Sequence, residues 1–263
     1  MTATTTNTTN GHDAGVVQRR SDECNIRLIA WDPTNEEHFE RMVQQRLSCG
    51  WDSDAVGVWK KKLLDGNKFM YWVVLKDEYA ERQTLLDAHD QLYPKERAPI
   101  KDTATVLGNS PLAPTHQSFV PIGHVAIDRY PERNEVFGIA MSTIWIKSLY
   151  ISKAMQTSGL GIQTMRETER VACLPPLNAS ALALDTTLGV AQKSEAAMKA
   201  FYDDVGAPRP KKMRSNQEWY TKQGYTLMDV PETDSPHVFT HYMNEYGKGD
   251  FVLPTVWMYK AIQ

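Results

Sequence analysis

One stretch constrains this chain more than any other: Leu149-Tyr-Ile-Ser-Lys-Ala-Met-Gln156-Thr-Ser-Gly159-Leu-Gly161-Ile162. Its first residues are apolar and β-prone, and read as a strand that ends near Ile151. Two glycines one residue apart follow, and residues 162–172 then carry an amphipathic helical pattern. A strand, a tight loop and a helix in so few residues demand a sheet with a helix packed on it. The glycines allow the backbone to turn sharply and to approach a ligand closely. Amides of residues 157–162 would point outward at the helix start, where the macrodipole favours anions. The physical reading is a phosphate or pyrophosphate cradle; the plain alternative is a strand-to-helix turn. The stretch is not a dinucleotide fingerprint, which needs G-x-G-x-x-G, nor a P-loop, which needs Gly-Lys-Ser/Thr.

The rest of the chain supplies the sheet and its covering helices. Strand patterns run at 25–31, 69–75, 118–127, 143–151 and 180–185. Between the first two, Thr34 with Glu37 forms a capping-box pattern. It predicts a helix with Phe39, Met42, Val43 and Leu47 on one face, and a second helix spans 54–64. Residues 76–118 read as an insertion or long loop with one helix at 79–92, and 203–215 as a second insertion. Residues 1–20 are Thr-rich and poor in apolar side chains, so they are expected to be a disordered tail. One domain over 21–263 is expected. The element order argues for an α/β (α+β) protein with a mixed sheet packed by helices.

Composition excludes several classes. Lys+Arg is 29 against Asp+Glu 32, so the basic excess of a general nucleic-acid binder is missing. No apolar run reaches membrane-spanning length, and the N-terminus lacks the apolar core of a secretory signal. The three cysteines are far apart, which argues against a disulfide framework or zinc cluster and for a reducing, cytoplasmic setting. His237 and His241 have ligand-pair spacing, but their neighbours read as extended chain, so no metal is expected. Cys173 reads as core. The basic run 208–214 reads as a solvated loop that could also attract a phosphate or an acidic substrate.

Gln156-x-x-Gly159-x-Gly161 resembles the Arg/Gln-x-x-Gly-x-Gly/Ala loop of the GCN5-related N-acetyltransferase (GNAT) superfamily, and the flavour is that of fungal members. Leu149-Tyr150-Ile151 matches the strand that precedes that loop. Gly123 stands where the family's third strand often has a glycine, and Glu218-Trp-Tyr220-Thr-Lys-Gln-Gly224-Tyr225 is similar to its late helix. The resemblance covers about residues 25–262. It implies a twisted, mostly antiparallel central sheet whose fourth and fifth strands, here 143–151 and 180–185, splay apart. It implies acetyl-CoA as co-substrate. Its pyrophosphate would lie on residues 157–162, behind Gln156, Thr157, Ser158, Gly159, Leu160, Gly161 and Ile162. Its pantetheine arm would run along the edge at Leu149, Tyr150 and Ile151. The expected activity is acetyl transfer to a primary amine, best of a small molecule, by direct attack in a ternary complex. Alternatives are a protein or peptide N-acetyltransferase and a non-catalytic acyl-CoA-binding protein. The resemblance is also compatible with a homodimer.

Amine acetylation needs a proton acceptor and a proton donor for the departing thiolate. The family's late-helix tyrosine makes Tyr220 the candidate acid, with Tyr202 as a rival. The strand 143–151 has no carboxylate at the position some members use for a base. Asp185, ending the fifth strand, is the candidate base, with Asp128 at the end of the third as the other; either could act directly or through water. Each also reads as a strand-end carboxylate with local hydrogen bonds. His124 reads as a structural histidine. Trp145, Tyr150, Trp219 and Tyr225 read either as an apolar acceptor pocket or as core.

Overall fold

The computed structural model describes residues 24–204, 206–235, 237 and 253–262. The expected tail at 1–20 and His241 lie outside them. Seven strands make one sheet: β1 (Ile26–Ala30), β2 (Lys68–Leu75), β3 (Gly123–Asp128), β4 (Thr143–Ile151), β5 (Ala181–Thr187), β6 (Thr226–Leu227) and β7 (Thr255–Ala261). Their order is β1-β2-β3-β4-β5-β7-β6, and only β4 and β5 run parallel. The expected mixed, mostly antiparallel sheet with flanking helices is therefore what forms.

Alternation along the strands sends side chains to two faces. Val125 and Ile127 of β3 join Ile144, Ile146 and Leu184 against α3 (Arg82–Leu92) and α5 (Leu160–Ala172). Met70, Trp72 and Ala126 face α1 (Glu36–Cys49) and α2 (Val56–Leu64) instead. On that same face Trp145, Ala183 and Trp257 pack with Phe137 of α4 (Pro131–Phe137). β2 is buried throughout, which explains its continuous apolar run Phe69–Leu75. Its one charged residue, Lys68, donates to Asp128 at 2.8 and 3.1 Å, and both are almost fully buried.

Several sequence expectations shift. The cap of α1 is Asn35, whose side chain accepts from the amides of Glu37 and His38; Thr34 bonds Asp32 instead. Leu47 is exposed, and α1 buries His38, Arg41, Met42, Gln45 and Arg46. That face is polar because it covers a polar part of the sheet, so apolar periodicity misjudged it. The stretch 118–127 is two elements: Ser118–Phe119 pairs with Ile100–Lys101, and β3 starts only at Gly123. Pro121, which lacks an amide donor, separates them. The 79–92 helix begins at Arg82. Trp145 and Tyr225 are fully buried core side chains, not pocket walls. Cys173 is half-buried, its thiol 3.5 Å from the carbonyl of Ile262. Arg209 of the basic run is ion-paired to Glu195 and Asp203.

Candidate functional site

The sheet opens in its middle. β4 and β5 pair from Thr143↔Ala181 to Ile146↔Leu184 and then part. Beyond that point β5 stays with β7, through Asp185↔Trp257 to Thr187↔Thr255. The second half of β4 stays with β3, through His124↔Tyr150 and Gly123↔Ile151. A bulge sets the parting. Ser148 and Leu149 stand opposite the single residue Val125, and Ser148 has a φ of 57°. Gly123 completes it: a Cβ there would lie 2.1 Å from the carbonyl oxygen of Tyr150. From Lys147 to Ile151 the β5-facing edge of β4 therefore has no ladder partner. Leu149, Tyr150 and Ile151 lie on that edge, as expected.

Past β4, Lys153–Met155 makes one turn of 3₁₀ helix, and Thr157 and Gly159 take φ of 74° and 88°. α5 then starts at Leu160. Among the described residues, the amides of Thr157, Gly159 and Gly161 engage no hydrogen bond. Ser158 instead ties the loop together, its hydroxyl donating to the Met155 carbonyl at 2.6 Å. A Cβ on Gly159 would meet nothing within 4 Å, so the space above that residue is open. Gly161 is covered by Trp219, whose ring would stand 3.4 Å from an added Cβ. This loop, the unpaired edge of β4 and the helix start give free N–H donors and an extended backbone edge side by side. They suit a long ligand that carries amides at one end and phosphates at the other.

Trp219 belongs to α8 (Asn216–Thr221), the last helix after two short ones, α6 (Gly189–Gln192) and α7 (Glu195–Met198). Ser215 and Glu218 form a reciprocal capping box that fixes where α8 starts. Its next residue, Tyr220, stacks edge-on with Trp219 and Tyr225 at 4.8 and 5.8 Å. The Tyr220 hydroxyl makes no hydrogen bond among the described residues. Burial, and then the nearby Asp185 carboxylate, push its ionisation well above the ordinary tyrosine range. It thus holds its proton at neutral pH. Tyr202 lies on a separate turn, Lys199–Asp203.

Asp185 sits where β4 and β5 part, on the face opposite α5. Lys147 donates to it, and the Arg133 guanidinium lies 3.6 Å away. Asp128 is committed to Lys68 and to the Tyr130 hydroxyl at 3.1 Å. His124 is fully buried, its ring 2.8 Å from Gln45 Oε1 and 3.3 Å from Arg46. It is a structural histidine, as expected. Among the described residues no cluster of side chains could hold a metal ion, and no helix is long and apolar enough to cross a membrane.

No protein-family model matches this chain, and no curated protein does. Solved structures do resemble it. An acetyltransferase described as of the GNAT family from Desulfovibrio desulfuricans is 9% identical, with 90% of this chain and 99% of that one covered and a TM-score of 0.47. An aminoglycoside 6'-N-acetyltransferase complexed with coenzyme A gives 11%, 90%, 97% and 0.45. An acetyltransferase from Salmonella typhimurium, which modifies the N-terminal serine of a ribosomal protein, gives 9%, 92%, 97% and 0.43.

Sequence reasoning singled out the loop, the edge and Tyr220 as candidates. It missed Arg133 and Lys147, which surround Asp185. Lys147 was visible as a lone charge in an apolar strand pattern. Arg133 lies in Pro131-Glu-Arg-Asn-Glu-Val-Phe137, whose many charges hide a short helix.

Proposed function

We propose that this chain is an acetyl-CoA-dependent N-acetyltransferase acting on the primary amine of a small molecule. The observation that carries the reading is the parted β4–β5 pair whose free edge leads straight into the unengaged amides of Thr157, Gly159 and Gly161. In this reading the residues of the loop, Gln156 to Ile162, hold the pyrophosphate. Leu149, Tyr150 and Ile151 pair with the pantetheine amides as a neighbouring strand would.

Acetyl-CoA supplies a thioester carbonyl to the fork. The ammonium of the acceptor first gives up a proton, through water or to Asp185. The amine nitrogen then bonds to the acetyl carbon, the carbon–sulfur bond breaks, and Tyr220 gives its proton to the departing thiolate. The proton released by the amine restores Tyr220. Asp185, held by Lys147 and Arg133, serves best as the end of a water-borne relay. A histidine is not needed, since His124 is sealed inside the sheet.

Isothermal titration with acetyl-CoA and with CoA tests the reading. Micromolar binding is expected, lost in Gly159→Asp, which puts a strained residue and a negative charge into the open space of the loop. Tyr220→Phe should keep that binding and lower kcat by about 10²-fold or more. No binding of either ligand refutes the assignment. Binding without turnover on any amine favours an acyl-CoA-binding protein instead.

A further inference from the structure

Arg133 stands out among the described residues that bury unmatched polar atoms. Its side chain is 6% exposed, yet among the described residues its guanidinium makes no hydrogen bond, and its Nε and Nη1 are both buried and unmatched. The next residue of α4, Asn134, is engaged at both ends of its amide. Asn134 Nδ2 donates to the Thr143 carbonyl and its Oδ1 accepts from Trp145 Nε1, both at 2.7 Å. That clamp fixes α4 on β4 and holds Arg133 where β4 and β5 part. Its guanidinium lies 4.7 Å from the centre of the Tyr130 ring and 4.6 Å from that of Trp145. Ring contacts account for its place. They do not match its N–H donors, and burying unmatched donors costs free energy.

The charges around it are also unbalanced. Lys62, Lys68, Arg133 and Lys147 gather around Tyr130. Among the described residues two carboxylates answer them, and Asp128 is committed to Lys68. Asp185 is left to serve Lys147 by hydrogen bond and Arg133 only at 3.6 Å. One carboxylate cannot meet the donors of both. Lys147 and Asp185 retain about a fifth of their side-chain surface, 21% and 18%, so this corner of the fork opens to solvent.

Resting on the acetyl-transfer reading above, we propose that the acceptor amine carries a carboxylate, and that Arg133 together with Lys147 binds it. The site lies on the α4 face of the fork, opposite α5, so an acceptor there approaches the thioester from the side away from the pyrophosphate loop. A guanidinium matches a carboxylate with two parallel N–H donors, and the neighbouring ammonium adds a third contact. A polycationic amine would meet like charge at the same place. The acceptor class is therefore an amino acid or a related amino-carboxylic acid.

The test follows thiol release from acetyl-CoA with a panel of the common amino acids, β-alanine and γ-aminobutyrate, each beside its carboxamide and its decarboxylated amine. Titration of acetyl-CoA is run on the same protein. A carboxylated member is expected to be turned over with kcat/KM at least about tenfold above its carboxamide, since a site built to bind a polar group rejects the analogue that lacks it. Arg133→Gln should collapse that preference, chiefly through KM, and Arg133→Lys should restore part of it. A merely structural Arg133 would leave the ratio unmoved. Equal or better turnover of the carboxamide or bare amine overturns the proposal, as does acetyl-CoA binding with no carboxylated member acetylated. Loss of acetyl-CoA binding itself strikes the underlying reading, and the acceptor site falls with it. The wild-type preference alone decides the matter if the variants do not fold.

Discussion

Mild acid should destabilise this fold through two histidines that its hydrogen bonds lock in the neutral form. His38 is fully buried. Its Nδ1 accepts from the amide of Asp32 at 3.0 Å and from Trp72 Nε1 at 3.2 Å, while Nε2 donates to the Lys101 carbonyl at 2.7 Å. A second proton on Nδ1 would face two N–H donors. His124 is arranged alike. Nδ1 donates to Gln45 Oε1, so Nε2 faces the Arg46 guanidinium as an acceptor. Burial depresses both pKa values from 6.5; at His124 the charges of Arg46 and Lys68 add to it, while at His38 neighbouring carboxylates and the bond to Lys101 oppose it. Groups depressed in the fold contribute stability that is present above the unfolded pKa and lost as pH falls below it. With an unfolded pKa near 6.5, lowering pH from 7.0 to 5.5 costs about 1.3 kcal/mol for a histidine held neutral throughout, as His124 is, and His38 adds a smaller loss in the same direction because its carboxylate neighbours oppose the shift. His89, also depressed by burial, adds to the loss. Glu96, whose carboxyl burial pushes up, works the other way, because the folded protein takes up its proton as pH falls. Urea unfolding at the two pH values measures the difference. His124→Gln should roughly halve it, whatever it does to stability at pH 7.0. A wild-type change below about 1 kcal/mol would refute the locked-tautomer argument.

Two further outcomes rest on single contacts. Asp128→Asn leaves Lys68 charged and unpaired inside the sheet, and should cost about 3–5 kcal/mol in urea unfolding, far more than an exposed ion pair would. Gly123→Ala drives a methyl to within 2.1 Å of the Tyr150 carbonyl, so the bulge must shift. It should lower Tm by several degrees and weaken acetyl-CoA binding together, whereas a loss of stability alone would show that the bulge does not set the fork.

Much of the frame was legible in the sequence, for physical reasons. β2 betrays itself by an unbroken apolar run, because both its faces are buried. The strand, loop and helix at 149–172 are legible because Gly159 marks the left-handed turn into α5, although the other turn falls on Thr157 and Gly161 lies inside the helix. The polar face of α1 was not legible: Arg41, Gln45 and Arg46 look solvated in one dimension, and only the sheet's polar centre at His124 makes them interior. β7 was missed as well. Its residues Thr255–Ala261 alternate too weakly to stand out, and their pairing with β5 settles them as a strand. At the site, backbone-built parts could be read and charge-built parts could not. Glycine spacing records a turn, but nothing in the sequence says that Arg133, Lys147 and Asp185 meet.

The parting of β4 from β5 also bears on how the protein survives at high concentration. Unsatisfied strand edges usually invite other chains, and that is how sheets stack into aggregates. Here the open edge is enclosed on both sides by its own sheet and closed at one end by the Ile146↔Leu184 pair. An intruding strand would need to enter lengthwise against that stop and would find room for only a few residues. A narrow thread with a few amides can seat itself; a second polypeptide with side chains on both faces cannot. The same geometry that leaves these backbone groups without a ladder partner thus keeps them out of reach of neighbours.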